Sequence, residues 1–231
     1  MKKIYFICMI CLLFTAALFS ETIDILFVTT TGNVIRKVDS DISKITISES
    51  DQFPYEITDI KNLDALKKLE QIDIYRVTSI KDYSFLTKCI NLKNIGFVVC
   101  EIHDLHFLEK MSNLEVIDID MLALDKKDIE KIRSEPIDLS ALKKLKFLRF
   151  SVYNLERVPL FVHVNTKPYL AIDNCNISHI SDEDIQLLKQ YSLINIDANP
   201  VMNIKEEYEK LANLPILREG ERLPEEIKKY Y

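Results

Sequence analysis

Glycine is almost missing from this chain. Gly32, Gly96 and Gly220 are the only three in 231 residues, where average usage of about 7% would place roughly sixteen. No two lie close enough to build a phosphate-cradling loop, which excludes the dinucleotide-binding fingerprint and the P-loop. A basic excess is missing too: 30 Lys and Arg stand against 36 Asp and Glu, a formal charge of −6. There is no electrostatic footprint for nucleic acid. Cysteine is scarce. Of five, Cys8 and Cys11 fall in an apolar N-terminal run, leaving Cys89, Cys100 and Cys175. An odd remainder of three makes no disulfide framework, so the core must hold the fold unaided. That core has the material it needs, since 48% of residues are hydrophobic and 29% charged, which excludes a disordered chain. The length suits one domain, or one with an appendage.

The N-terminal run reads as a leader. Lys2 and Lys3 precede an apolar stretch over residues 4–19, and Thr15-Ala16-Ala17-Leu18-Phe19-Ser20 offers small residues for cleavage before Glu21. This order of parts is that of a secretory signal peptide. The stretch has 16 residues and no charged stop after it, whereas a transmembrane helix needs about 20. Cys8 and Cys11 are spaced C-x-x-C, but a redox pair needs an exposed, activated thiolate, which the apolar run does not offer. Removal of residues 1–20 takes away two lysines and moves the side-chain charge from −6 to −8. The expectation is an acidic, exported protein, periplasmic, cell-surface or extracellular, with no stable membrane span after cleavage.

Self-similarity organises the rest. Ile57-Thr58-Asp59-Ile60-Lys61-Asn62-Leu63 returns as Ile80-Lys81-Asp82-Tyr83-Ser84-Phe85-Leu86, and again as Ile102-His103-Asp104-Leu105-His106-Phe107-Leu108, at offsets of 23 and 22 residues. A second pattern keeps the same phase: Leu69-x-x-Ile72-x-Ile74, Leu92-x-x-Ile95-x-Phe97 and Leu114-x-x-Ile117-x-Ile119. Later copies are Leu145-x-x-Leu148-x-Phe150, Leu170-x-Ile172 and Ile194-x-Ile196, with a weaker first copy at Ile45-x-Ile47. Each x-L-x-L-x stretch alternates with period 2, so its apolar positions point to one face and the x positions to the other. One such turn cannot bury its own apolar edge; stacked neighbours must supply the other half of the core.

These motifs resemble leucine-rich repeats, and the 22-residue spacing with I-x-D-[IL]-x-x-L resembles the internalin-like bacterial class over roughly residues 45–217. The resemblance implies an α/β solenoid with a parallel sheet of about 6–7 short strands, each turn returning through an extended or 3₁₀ segment. It also implies an Asn five residues after the first strand Leu, bonding backbone groups of neighbouring turns. Here that column reads Val77, Cys100, Leu122, Tyr153, Cys175 and Asn199, with Asn only once. The step from Ile117 to Leu148 is 31 residues. Its excess contains a short helix around 125–133, stopped before Pro136, within an irregular insertion at 123–141. The division is a leader at 1–20, an N-terminal β-hairpin cap at 21–44, repeats at 45–204 and a helical C-terminal cap at 205–231.

Candidates for chemistry each have a plainer structural reading. Cys100-x-x-His103-x-x-His106 gathers soft ligands without an evident fourth for zinc, and the register turns Cys100 inward. Asp59, Asp82 and Asp104 repeat because an Asp at a turn bonds nearby backbone N–H groups. His163 and His179 have no sequence-adjacent partner, and no hydrolase signature occurs. No catalytic residue, metal or cofactor is expected.

The outward strand positions carry the functional expectation. They form three columns: Gln71, Asn94, Val116, Phe147, Tyr169, Leu193; then Asp73, Gly96, Asp118, Arg149, Ala171, Asn195; then Tyr75, Val98, Asp120, Ser151, Asp173, Asp197. Rungs of a sheet lie about 4.8 Å apart, so each column is a line of touching side chains. Val116, Phe147, Tyr169 and Leu193 would then form an exposed apolar stripe beside an acidic line, with Tyr75, Asp118, Asp120, Arg149, Asp173 and Asp197 completing a partner-binding face. The leading reading is an exported non-enzymatic module that binds a protein or peptide on its concave sheet. The alternative is a self-associating structural component of the cell envelope, a homodimer in its simplest form, joined through the stripe or an unpaired Cys.

Overall fold

The computed structural model describes residues 21–49, 56–121, 126–217, 221 and 223–229. The leader and Leu122 lie outside them. Two eight-residue strands, β1 (Thr22–Thr29) and β2 (Gly32–Asp39), open the described chain as an antiparallel hairpin. Gly32 closes its turn at φ 141°, with nothing within 4 Å of where a Cβ would stand. Backbone conformation, not space, calls for glycine there. Alternate β1 residues, Ile25 and Phe27, enter the main core.

β3 (Lys44–Ser48) starts the main sheet, whereas β4 (Ile57–Lys61) pairs antiparallel with β1. Then come β5 (Gln71–Tyr75), β6 (Asn94–Val98) and β7 (Val116–Met121). After them lie the two-residue β8 (Ile137–Asp138), β9 (Phe147–Val152), the two-residue β10 (Phe161–Val162), β11 (Tyr169–Ala171) and β12 (Leu193–Asn195). Seven strands form one sheet in the order β12-β11-β9-β7-β6-β5-β3, and every pairing in it is parallel. β8 and β10 pair separately, also in parallel. A parallel sheet built from successive turns fits a leucine-rich repeat solenoid.

The register places Ile72, Ile95, Ile117, Leu148, Leu170 and Ile194 side by side. All six are buried in one core, as are Ile74, Phe97, Ile119, Phe150, Ile172 and Ile196 from the second inward column. Short 3₁₀ turns (Leu63–Ala65, Ser84–Lys88, His106–Lys110) carry the chain back. The Asp positions before two of them act as turn formers: Asp82 accepts the Ser84 N–H at 2.7 Å and Asp104 the His106 N–H at 2.8 Å. Asp138 accepts the Ser140 N–H at 2.8 Å in the same way. The insertion folds as helix α1 (Lys126–Ser134). Later helices are α2 (Asp182–Leu188), which opens on a Ser181–Asp184 capping box, α3 (Lys205–Lys210) and α4 (Glu225–Lys228). Among the described residues no helix is long and apolar enough to cross a membrane.

The column that carries Asn once has its backbone bonds made in two ways. Asn199, buried, donates to the Ile172 and Ile196 carbonyls at 2.7 and 2.9 Å and accepts the Cys175 and Ile177 N–H groups at 3.0 and 2.9 Å. At the equivalent positions the thiols of Cys100 and Cys175 donate to the Ile74 and Phe150 carbonyls, at 3.2 and 3.3 Å. The small, weakly polar side chain fits the site and reaches the same preceding turn with fewer bonds than the amide makes. All three thiols are buried and free. Burial pushes Cys89 up to about 11 and Cys175 up to about 12, so neither is a reactive thiolate at neutral pH.

Sharp turns leave these strands without glycine. Arg76, Val99, Asn174 and Ala198, each four residues after an inward strand residue, hold φ of 53°, 56°, 58° and 57°. An L-residue in the left-handed region costs about 1–2 kcal/mol, a cost that stacking of the turns must offset. Ala198→Gly should therefore stabilise the protein by about 0.5–1 kcal/mol, after allowance for the more flexible unfolded chain. An unchanged or lower urea midpoint would show that position 198 carries no strain.

Candidate binding surface

The outward columns lie where the alternation puts them. Val116, Phe147, Tyr169 and Leu193 are direct neighbours on four successive strands, as are Asp118, Arg149, Ala171 and Asn195. Their exposure is the correction. Val116, Phe147 and Tyr169 are 7%, 0% and 1% exposed, because α4 packs against the outward face of the sheet. Ile227 and Leu223 join them, Ala171 and Leu193 in a second apolar cluster separate from the main core. Phe147 and Tyr169 stack with centroids 5.5 Å apart and planes 10° from parallel. An apolar stripe of this size in water is a strong sink for any apolar segment within reach, and the chain supplies one. Neither route expected for self-association is open in this structure: the stripe is covered and the thiols are buried.

The sequence signal for this was Leu223 and Ile227, four residues apart in an otherwise polar tail. Such a pair lies on one face of a helical turn and has no partner within its own segment. A tail that only capped the end of the solenoid would leave this pair without an apolar partner; the pair instead packs against the stripe on the sheet face.

Beyond the covered stripe the concave face is charged and open. Arg149 reaches three carboxylates: Asp120 at 3.0 Å, Asp173 at 3.4 Å and Asp118 at 3.5 Å. Each of the four side chains is about a quarter exposed (22–28%). Burial would lower the Arg149 pKa, but the three acids more than offset it. Asp118 responds in the opposite sense: burial pushes it up to about 6, against the pull of Arg149 and with added repulsion from Asp120 and Asp173. Its Oδ1 makes no hydrogen bond. Asp73, opposite Gly96 in the register, accepts from Lys44 at 2.8 Å. A Cβ at position 96 would come within 2.8 Å of its Oδ1, so this glycine makes room for a carboxylate. Tyr75 is among the exposed large hydrophobic residues, and Asp197 continues the third column beyond Asp173.

The other candidates resolve into local pairs. His103 Nδ1 lies 2.7 Å from Asp128 of α1, His106 Nδ1 2.7 Å from Asp104, His163 Nδ1 3.2 Å from Asp138, and His179 Nδ1 3.0 Å from Glu207. Against its own burial, Asp104 is held down at about 2 by bonds from His106 and Lys131. Cys100 faces the core, away from His103 and His106. No group of three or more His, Cys, Asp or Glu among the described residues is arranged to hold a metal ion.

No protein-family model and no curated protein matches this chain. Among solved structures, the crystal structure of an internalin from Listeria monocytogenes is similar, with a TM-score of 0.43 and 16% identity. The likeness covers 71% of this chain and 45% of that one, so the chain spans less than half the length of that protein. The solenoid reading stands on the strand order and register of the chain itself.

Two outcomes follow from this geometry. Phe147→Ala should cost about 3–5 kcal/mol of stability, the range for a buried aromatic. Ile227→Ala should instead raise amide exchange in 223–229 while β9 stays protected. A Phe147→Ala protein as stable as the parent would show that α4 does not cover the stripe. The second concerns pH. A carboxyl whose pKa is raised on folding holds its proton longer in the folded state, so stability falls as pH rises from the unfolded value toward about 6. Asp118→Asn removes that dependence. Between about pH 4 and 7 the variant should gain on the parent by about 2 kcal/mol, and a difference independent of pH in urea titrations would contradict the buried-acid reading.

Proposed function

We propose that this chain is an exported, non-catalytic binding protein that holds a basic protein or peptide segment on the open, acidic part of its concave sheet. The observation that carries the reading is the charge left on that face. Asp73 on β5, Asp118 and Asp120 on β7, and Asp173 and Asp197 just after β11 and β12 share one face of the sheet, and Arg149 and Lys44 are the cations set among them. A partner side chain entering beside Tyr75 meets an aromatic anchor, with Asp73 on the same strand and Asp120 two rungs away to orient a Lys or Arg. A sheet built from short repeated strands suits such a surface, because its side chains are held in register by the core behind them.

Export rests on the leader pattern at 1–20. The 22- and 23-residue spacing is read as the internalin-like repeat class. The hairpin is assigned to closing the N-terminal end of the solenoid and helix α3, after residue 204, to closing the other. No catalytic residue is assigned in this reading.

The test places a photo-cross-linking amino acid at Tyr75 and, separately, at exposed Lys68 on a return turn, in the organism's own intact cells. The concave position should yield a discrete cross-linked product in the exported fraction, weakened at raised ionic strength because exposed charge pairing is screened by salt. The same products from both positions, or none from Tyr75, would overturn the concave-face reading.

A further inference from the structure

A second surface lies off the strand faces, where the chain leaves the C-terminal ends of β9, β11 and β12. There the turns after three adjacent strands and helix α3 enclose an open groove of about 920 Å³. It is lined by Tyr153, Asn174, Asn176, Asn203, Ile204 and Tyr208, with Pro200 and Met202 beside them. Ligand sites occupy volumes of about 300–1,000 Å³, so the groove is of binding size.

Two independent features distinguish it from an ordinary surface crease. The first is exposed apolar surface gathered in one place. Six large hydrophobic residues are exposed among the described residues, and three of them, Tyr153 (51%), Ile204 (39%) and Tyr208 (37%), line this groove. Scattered exposed apolar residues need no explanation, but a cluster marks a contact surface. The second is unspent hydrogen-bonding capacity. The amides of Asn174, Asn176 and Asn203 are exposed and make no hydrogen bond with the described residues, whereas Asn199 beside them spends its whole amide on backbone groups. Each open amide offers two donors and one acceptor. Asn174 and Asn176 hold left-handed backbone conformations, φ 58° each, on turns stacked against the rungs on either side.

We infer that this groove binds a proline-rich segment in the polyproline II conformation, with a basic residue flanking it. Such a segment makes no internal hydrogen bonds, so its carbonyls are free to accept from side-chain amides. Its pyrrolidine rings form apolar ridges that pack between tyrosine rings, the pattern by which aromatic-lined grooves take proline-rich ligands. The segment is stiff before it binds, which lowers the ordering cost. A saccharide fits less well. The tyrosines suit the C–H face of a sugar ring, but Pro200, Met202 and Ile204 would lie against hydroxyl groups and leave them unsatisfied. The one charged lining residue is Asp197, which selects a Lys or Arg at the ligand's end over an acid. The groove shares only Asp197 with the acidic face, so the loss of binding on changing Tyr153 or Tyr208, and not the preference for Arg, separates the two readings.

The probe is a fluorescein-labelled decaproline, alone and with a C-terminal Arg, titrated with the purified protein and followed by polarisation. Saturable binding is expected, tighter for the Arg-bearing peptide. Tyr153→Ala and Tyr208→Ala should each weaken it at least about tenfold, with unfolding curves unchanged because both rings are exposed. Should either variant unfold, Asn176→Gly, which keeps the left-handed backbone, and Asn203→Ala give the same reading from exposed side chains. Ile90→Ser, which removes the most exposed large hydrophobic residue on another face (69%), should leave binding intact. Absence of saturable binding, or equal loss in Ile90→Ser, overturns the assignment. So does a groove that takes an N-acetylglucosamine tetramer in place of decaproline.

Discussion

Everything in this molecule depends on a single packing constraint: no turn of the chain can bury its own apolar edge. Each strand contributes two inward residues, and those residues reach a dry environment only when the rungs on both sides supply matching ones. Ile72, Ile95, Ile117, Leu148, Leu170 and Ile194 are the visible result, six aliphatic side chains from six rungs in one buried line. A slip of one residue in any rung would turn its inward set to solvent, so the register is enforced at every step.

Backbone groups at the turns obey the same stacking. Asn199 ties its turn to neighbouring backbone through both ends of its amide, and Cys100 and Cys175 do half of that work with a thiol. A cysteine in this column is thus a structural donor to the preceding turn, and burial keeps it chemically quiet. Scarcity of glycine belongs to the same account. Arg76, Val99 and Ala198 hold left-handed conformations that glycine would adopt without cost, and the stacked core holds them there.

The concave face divides into two halves for a simple energetic reason. Four apolar side chains on adjacent rungs could not remain open to water with Leu223 and Ile227 tethered to the same chain. The association is intramolecular, which makes the effective concentration of the covering segment high. The charged half has no such partner. Asp118, crowded by other acids and partly desolvated, shows that Arg149 does not satisfy the face fully. The remaining negative potential is what a basic partner would meet.

Local periodicity was enough to read the solenoid. Alternation assigns inward and outward residues without reference to the rest of the chain, and a repeat near 22 residues places each rung beside the next. The parallel pairing of successive rungs and the outward columns from Val116 to Leu193 followed from that arithmetic, as did the turn-forming role of Asp82 and Asp104. Exposure did not follow. Whether Phe147 and Tyr169 meet water depends on a segment more than fifty residues away, and sequence spacing carries no information about where a polar tail with two apolar residues comes to rest. The Tyr153 and Tyr208 groove was hidden for the same reason, since its lining comes from turns after three different strands and from α3. Periodic contacts are repeated locally and so are written in the sequence; contacts between the ends of the chain and its middle form once, and only the folded backbone decides them.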